Sequence, residues 1–266
     1  MMNKILVLIP HYNNIEGLLK SLKSIDADEN SDVLIVDDGS TVILDKDLIS
    51  EEFKANGKIL FKILEKNEGI ESALNNGLKI AQANKYEYVA RLDCGDICLG
   101  KRFQIQSQFL KENPEIKIVG SNVLAVDCDN KFLYAINLPL NHKDIEKKMY
   151  FNSMLIHPAI MFCTSIIETI GYYPTKYKSA EDYAFFFAIL KKYKMANIKE
   201  YLTQIEINEK GISLQKRKQQ VKSRIQIIKD NFYFGWYPIY GLFRNFILLI
   251  LPYRIILTIK KMKKNA

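Results

Sequence analysis

Cysteine is scarce in this sequence, and its spacing fits no metal or redox motif. The 266 residues include only Cys94, Cys98, Cys128 and Cys163. No two of them form a C-x-x-C pair, and four cysteines in a chain of this length do not make a disulfide framework. The sequence therefore excludes a zinc knuckle and predicts reduced thiols in a cytosolic protein.

Three further features are missing, and each absence removes a class of protein. No G-x-G-x-x-G run follows the first predicted strand, which disfavours a dehydrogenase. The apolar run Ile5–Ile9 is too short for the core of a signal peptide and is typical of a buried first strand. The sequence also contains no internal repeat and no low-complexity segment, which leaves an ordinary globular chain.

Charge is distributed unevenly along the chain. Residues 210–266 carry 13 Lys and Arg but one acidic residue, whereas residues 1–209 carry 25 basic and 29 acidic residues. A nucleic-acid-binding fold presents its basic charge across the domain. Here the basic charge is confined to one end, so the sequence predicts no nucleic-acid partner.

The carboxyl-terminal residues combine aromatic and apolar side chains with basic ones. Phe232–Ile259 is interrupted by Arg244 and Arg254, and four lysines follow it. The uncharged run Asn245–Tyr253 is well short of the roughly 20 residues that span a bilayer. We expect residues 232–266 to lie in the interface of an anionic membrane. A carboxyl-terminal helix packed on the domain is the alternative.

Strands and helices alternate in the first hundred residues. Apolar runs at 4–9, 33–36, 59–64 and 87–92 predict strands, and apolar residues at helical spacing lie between them. This alternation is typical of a parallel sheet, in which ligands bind at the carboxyl ends of the strands. Three polar clusters fall at those ends: His11–Asn14, Asp37–Thr41 and Asp93–Asp96.

Each candidate site motif has a common structural explanation when it is considered alone. Asp37-Asp38-Gly39-Ser40 is a usual turn sequence, although its carboxylates suit a ribose or a base. Asp93 and Asp96 stand in a tight turn that suits a hard cation. Glu181-Asp182 opens a predicted helix, where acidic residues are favoured as caps. His157 lies in an apolar run, where a lone histidine is more often a core residue.

Taken in order along the chain, the motifs resemble the family 2 glycosyltransferases of GT-A fold over roughly residues 3–195. The resemblance rests on these segments: Pro10-x-Tyr12-Asn13, Asp37-Asp38-Gly39-Ser40-Thr41, Asn67-x-Gly69, Ala90-Arg91-Leu92-Asp93-x-x-Asp96, His157-Pro158 and Glu181-Asp182-Tyr183. It implies an α/β fold whose mixed, mostly parallel central sheet is flanked by helices and followed by a helical membrane-associating tail. The implied domain, 1–209, has a nucleotide-sugar half, 1–100, and an acceptor half, 101–209, before the basic extension 210–266.

The resemblance also implies a function and a site. The implied function is that of an inverting enzyme, which moves a sugar from a nucleotide-sugar, by default a UDP-sugar, to a hydroxyl of a lipid-linked surface glycan. The implied location is the inner face of the cytoplasmic membrane. The implied donor-binding residues are Pro10, Tyr12, Asn13, Asp37, Asp38, Asn67, Gly69, Arg91 and Asp93. Asp93 and Asp96 would hold Mn²⁺ or Mg²⁺, and Asp182, with Glu181, would be the catalytic base. His157 and Tyr183 would lie on the acceptor side.

Three departures from the family pattern keep alternatives open. Gly95 occupies the position of the usual second Asp of the metal motif, and Phe186-Phe187-Ala188 replaces a usual Trp and Arg after the acidic pair. Glu71 stands where relatives often carry a small residue. Gly95 motivates a degenerate transferase that acts as a membrane-bound scaffold. A nucleotidyltransferase is a further alternative, but its Gly-rich basic loop is not found after the first strand.

Overall fold

The computed structural model describes residues 4–207 and 216–251. Its first half alternates strand and helix, as the apolar spacing predicts. Its elements are β1 (Ile5–His11), α1 (Ile15–Lys23), β2 (Asp32–Asp37), α2 (Lys46–Glu52), β3 (Ile59–Ile63), α3 (Ile70–Ala83) and β4 (Tyr88–Arg91). The second half is less regular in its order. Its elements are β5 (Ile97–Cys98), α4 (Arg102–Glu112), β6 (Ile116–Val126), β7 (Phe132–Ile136), α5 (His142–Lys148), β8 (Met161–Cys163), α6 (Ile167–Ile170), α7 (Glu181–Leu190) and β9 (Lys194–Glu206).

The strands form one mixed sheet in the order β3-β2-β1-β4-β8-β6-β9-β5, with β7 paired to β6. The pairings among β1, β2, β3 and β4 are all parallel. Beyond β4 the pairings are antiparallel, except that β6 and β9 run parallel. The sheet is therefore mixed as expected, and its parallel part is concentrated in the first hundred residues. The carboxyl ends of β1, β2 and β4 meet at one edge.

Alternate residues of the central strands pack on opposite faces of the sheet, as the period of two requires. Leu6 and Leu8 of β1 pack with α3 and α7, whereas Val7 and Ile9 pack with α1 and α4. The contact between α3 and β1 is close at Gly77, where an added Cβ would stand 2.3 Å from a Leu8 methyl carbon. This packing fixes the start of α3 next to the carboxyl end of β1.

Two helices follow the sheet: α8 (Arg217–Asp230) and α9 (Trp236–Ile250). Ile227 and Ile228 of α8 are fully buried in the same core as α7. Helix α9 lies against the turn after α5, where an added Cβ on Gly241 would stand 2.3 Å from the carbonyl oxygen of Tyr150. The described part of the carboxyl-terminal region thus packs on the α/β core.

Helix α9 buries one face and exposes the other. Pro238, Gly241 and Asn245 are buried against the domain. We use "the aromatic face" for the exposed side chains Trp236, Ile239, Phe243, Phe246 and Ile250, which are between 43% and 79% exposed. Among residues 4–207 and 216–251, no helix combines the length and the apolar character needed to cross a bilayer.

Candidate active site

A cleft of about 1230 Å³ opens at the carboxyl ends of β1 and β4. Ten of the predicted site residues line it: Pro10, Tyr12, Asp38, Asn67, Gly69, Arg91, Asp93, His157, Glu181 and Asp182. A second, more open groove of about 760 Å³ lies between α4 and β9 and contains none of them. The cleft therefore brings together residues that are separated by up to 172 positions in the chain.

The loop after β2 is held by side chains that do not themselves line the cleft. Asp37 is buried, and one of its oxygens lies 3.2 Å from His11 Nδ1 and 3.2 Å from the N–H of Ser40, which donates to it. The Asn13 side chain accepts a hydrogen bond from the N–H of Thr41 at 2.9 Å. Asp37 and Asn13, which are predicted to contact the donor, also tie the β1 and β2 loops together. Tyr12, which is 47% exposed at the cleft, is free to stack on a base.

Asp38 connects the loop after β2 to the start of α3. Its two oxygens accept hydrogen bonds from the N–H groups of Glu68 and Gly69, each at 2.9 Å. Burial raises the pKa of this carboxyl, and the two N–H groups partly oppose that effect. Gly69 has a φ of +98°, a backbone conformation that residues with a side chain rarely adopt. Asp38 therefore shapes the loop over residues 67–69 that borders the cleft.

Arg91 and Asp93 form an ion pair at the centre of the cleft. The Arg91 guanidinium is fully buried and donates to the carbonyl oxygen of Leu8 at 2.8 Å and to the Asp93 carboxylate. The Asp93 side chain remains 41% exposed. A buried, always-charged guanidinium holds this carboxylate in place while leaving it open to a ligand.

Asp96 does not share the cleft with Asp93. It is 7% exposed, and its Oδ1 accepts a hydrogen bond from the N–H of Glu206 at 3.0 Å. Burial and the charge of Asp93 raise the Asp96 pKa well above its ordinary value. Asp96 thus joins the β4–β5 turn to β9. Gly95, which lies between Asp93 and Asp96, has a φ of +104°, and the chain turns there so that the Asp96 side chain leaves the cleft.

Asp93 offers a metal ion a partly exposed carboxylate in the cleft, which Glu68 and Glu71 also line. No group of three or more His, Cys, Asp and Glu side chains suited to a metal occurs in residues 4–207 and 216–251. Mg²⁺ is often bound by one or two carboxylates together with substrate phosphates rather than by a protein cage. Asp93 fits that mode as a single carboxylate ligand.

The acidic pair at the start of α7 lies in the cleft as the sequence predicts. Burial and the charge of Asp182 raise the pKa of Glu181 to about 7. The Glu181 Oε2 atom is buried without a hydrogen-bond partner in the described structure. Burial also raises the pKa of Asp182, but the Arg224 charge and the N–H of Tyr183 oppose this. The two carboxyls therefore differ in how readily they lose a proton, because the Arg224 charge favours the ionised form of Asp182.

The two predicted acceptor-side residues have different surroundings. His157 lines the cleft, and its Nε2 lies 2.9 Å from the Tyr173 hydroxyl. Burial lowers the His157 pKa well below its ordinary value, so this imidazole is neutral near pH 7. Tyr183 is fully buried, donates to the carbonyl oxygen of Met149 and does not reach the cleft, because its side chain points into the core.

Several cleft residues were not anticipated from the sequence. Among them are Asn152, Lys178, Gln220 and Arg224. Lys216 also lines the cleft, and in the sequence the run Lys216-Arg217-Lys218 is typical of a solvated face, with contact to phosphate groups as the alternative. Only the packing of α8 on the core shows that positions 216, 220 and 224 face the cleft.

Comparison with known proteins identifies the family. The model of "Glycosyl transferase family 2" matches residues 6–171, which include the loops after β1, β2 and β4. The chain belongs to glycosyl transferase family 2. The prediction of a glycosyltransferase enzyme from the ordered motifs is thereby confirmed.

Individual relatives agree with this assignment. The chain is 28% identical over 238 residues to the amylovoran biosynthesis glycosyltransferase AmsE of Erwinia amylovora, covering 84% of each chain. Its fold is similar to that of mannosyltransferase PcManGT from Pyrobaculum calidifontis in complex with GDP-Man and Mn²⁺, with a TM-score of 0.63, 16% identity and coverage of 94% of this chain and 70% of that one. It is also similar to S. aureus TarS 1–349 in complex with UDP, with a TM-score of 0.59, 19% identity and coverage of 85% and 65%. The predicted GT-A fold is confirmed.

Proposed function

We propose that this protein transfers a sugar, with inversion, from a nucleotide-sugar to a hydroxyl of a growing surface glycan. The observation that carries the proposal is the cleft, which joins a nucleotide-type loop at Asp38 to the acidic pair at the start of α7. UDP-hexose or UDP-N-acetylhexosamine is the proposed donor, and the TarS complex with UDP supports that choice. The relationship to AmsE supports a role in polysaccharide biosynthesis, such as lipopolysaccharide or capsule.

The donor is assigned to the side of the cleft formed by the β1, β2 and β4 loops. Tyr12 offers an aromatic face to the base, and the loop over residues 67–69 borders the same space. Asp93 stands where a divalent cation on the diphosphate would find a protein ligand. When bound, Mn²⁺ or Mg²⁺ would stabilise the charge that develops on the leaving nucleotide, and Asp93, held by Arg91, would orient it.

Asp182 is assigned as the base that takes the proton from the acceptor hydroxyl. A general base must be ionised when the acceptor binds. Burial raises the Asp182 pKa, but the Arg224 charge opposes this and favours the ionised form, whereas burial and the Asp182 charge both raise the Glu181 pKa, to about 7. Attack by the activated hydroxyl on the face of the sugar opposite the nucleotide would invert the anomeric centre.

Calorimetric binding of UDP, GDP and dTDP, each with Mn²⁺ and again with EDTA, tests the donor assignment. We expect UDP to bind in the presence of Mn²⁺ and EDTA to weaken binding strongly, because the cation is shared between Asp93 and the diphosphate. Binding of GDP or dTDP alone would change the donor. Absence of binding by all three would favour the scaffold alternative, and the anomeric configuration of the product, read by NMR, tests inversion.

The membrane is proposed as the place where this reaction occurs, on the cytoplasmic side. The aromatic face of α9 is a contiguous exposed apolar surface, which is unusual on a protein that remains in water. The 13 basic residues in 210–266 complement anionic lipid headgroups. Together these features favour a helix lying in the membrane interface.

Vesicle sedimentation tests the membrane assignment. The double substitution W236S/F243S should reduce binding to vesicles that contain phosphatidylglycerol, while UDP binding should stay unchanged. V42S/I43S is the matched control, because Val42 and Ile43 are 72% and 91% exposed but lie far from α9 in the sequence. Equal vesicle binding by wild type and W236S/F243S would contradict the assignment.

A further inference from the structure

One side of the cleft carries basic residues, of which the reaction described above uses only the Arg224 charge near Asp182. Lys216, Gln220 and Arg224 line the cleft from α8 and its N-cap, at intervals of four residues. Residues four apart lie on the same helix face. Lys178 lines the cleft from the loop before α7. The cleft therefore has three cations next to the acidic pair.

Helix α8 holds this face in a defined position. Ile227 and Ile228, in the last turn of the helix, are fully buried and anchor it on the core. The Ser223 hydroxyl donates to the carbonyl oxygen of Lys178 at 2.8 Å, which joins the loop before α7 to α8. Arg224 donates from Nη1 to the Asn152 side chain at 2.8 Å. The three cations are thus presented by packed backbone rather than by an unsupported segment.

None of these cations is held in an ion pair within the described structure. In residues 4–207 and 216–251, none of Lys178, Lys216 and Arg224 forms an ion pair with a carboxylate. The Nε atom of Arg224 is buried and has no hydrogen-bond partner there. By contrast, Lys176 in the same loop pairs with Asp230 at 3.2 Å. Unpaired cations around a cleft, one with a buried free donor, suit a multiply charged anion such as a phosphate.

We propose that Lys178, Lys216 and Arg224 form a binding site for a phosphate group of the acceptor. The inference rests on the proposed transferase function and specifies the chemical class of its acceptor. The acidic pair that would activate the acceptor lies beside these cations, whereas the proposed donor loops and Asp93 contribute carboxylates. Helix α8 also continues within five residues into α9, so a phosphate attached to a membrane lipid would approach from this side.

The same chemistry has a second source, the diphosphate of the donor. Arginine and lysine bind either phosphate by charge-assisted hydrogen bonds. The two sources differ in what the cations should affect. If the cations form an acceptor site, their removal should weaken the affinity for a lipid diphosphate and leave the affinity for UDP unchanged. If they form a donor site, their removal should weaken the affinity for UDP and leave that for a lipid diphosphate unchanged.

Binding of farnesyl diphosphate to the full chain, measured by calorimetry with saturating UDP and Mg²⁺, tests the proposal. Farnesol, which lacks phosphate, is the control ligand. Removal of a charged hydrogen-bonding partner usually weakens binding about tenfold. We therefore expect K178Q and K216Q each to weaken farnesyl diphosphate binding about tenfold. K216Q/R224Q should weaken it further. R224K, which keeps the charge, should lose less affinity than the substitution of Arg224 by glutamine.

K218Q/K222Q is the matched control variant. Lys218 and Lys222 lie on the same helix, are exposed and do not line the cleft, so their loss removes the same charge and should leave the affinity for farnesyl diphosphate unchanged. UDP titration of each variant verifies folding and tests the donor site separately. Equal farnesyl diphosphate affinity in K216Q/R224Q and K218Q/K222Q, no binding by wild type, or loss of UDP binding alone would overturn the proposal.

Discussion

The two ends of the cleft are built in different ways. At the donor end, carboxylates are already engaged: Asp38 accepts two backbone N–H groups, and Asp93 is paired with a buried Arg91. At the acceptor end, Glu181 has a buried oxygen without a partner in the described residues, and Arg224 has a buried free donor there. At the proposed donor end the carboxylates are held by their own contacts, although the Arg91 Nε atom has no partner in the described residues; at the proposed acceptor end a carboxyl oxygen is itself without one.

This difference separates structural from chemical roles among the acidic residues. Satisfied carboxylates have their orientation fixed, and their removal should disturb binding geometry. Carboxyls with raised pKa values beside unpaired donors are candidates for proton transfer. Substitutions at the two ends should therefore change different kinetic and thermodynamic quantities.

The largest effect is expected from Asp182. D182N removes the proposed base and retains its size, so we expect the turnover rate to fall by about 10²–10⁴-fold. UDP affinity should remain within about twofold of wild type, because Asp182 lies at the acceptor end. Steady-state kinetics with an identified acceptor and UDP calorimetry measure the two quantities.

E181Q is the matched comparison for D182N. Glu181 has a pKa of about 7, so about half of it is protonated at pH 7, and a neutral amide resembles that protonated form. Its turnover rate should fall much less than that of D182N. A larger loss in E181Q than in D182N would transfer the role of base to Glu181.

The sequence predicted the donor end better than the acceptor end, and the reason is local geometry. The loops after β1, β2 and β4 follow short apolar strands, and their polar clusters meet because parallel strands end at one edge. For Asp37 and Asn13 the structure adds a role that the sequence does not show: both accept hydrogen bonds from N–H groups of the loop after β2.

The acceptor end depends on contacts that sequence spacing does not encode. Helix α8 reaches the cleft only because Ile227 and Ile228 pack into the core shared with α7. Tyr183 follows the cleft residue Asp182 in the sequence, and Asp96 comes three residues after the cleft residue Asp93. The side chains of Tyr183 and Asp96 are nevertheless buried away from the cleft. Their orientations follow from the helix start at Glu181 and from the positive φ of Gly95.

The second prediction tests the structural role of the donor end. D38A removes the acceptor for the N–H groups of Glu68 and Gly69, so the loop over residues 67–69 loses its anchor. We expect UDP affinity to fall by at least about tenfold, since each lost hydrogen bond to a charged group is worth about 1.5–3 kcal/mol.

D38N provides the control because it keeps one oxygen in the same position. Its UDP affinity should lie between those of wild type and D38A. Both variants should keep the affinity for farnesyl diphosphate, which is assigned to the other end of the cleft. Unchanged UDP binding by D38A would remove Asp38 from the donor site.

The smallest effect concerns the pH dependence of stability at Glu181. Its pKa is about 7 in the folded protein and 4.5 as the ordinary value. Between these values the folded state keeps a proton that the unfolded state has released, so this residue lowers stability as pH rises from about 4.5 to about 7.

E181Q cannot ionise and should lose this dependence. At pH 8 we expect E181Q to be more stable than wild type by about 2 kcal/mol, allowing for solvent screening at a partly exposed site, and at pH 4.5 the two should be equal. Urea unfolding at both pH values measures the difference. A constant difference at the two pH values would mean that Glu181 ionises in the folded protein as it does in the unfolded chain, and the contrast between the two ends of the cleft would then rest on Asp182 and Arg224 alone.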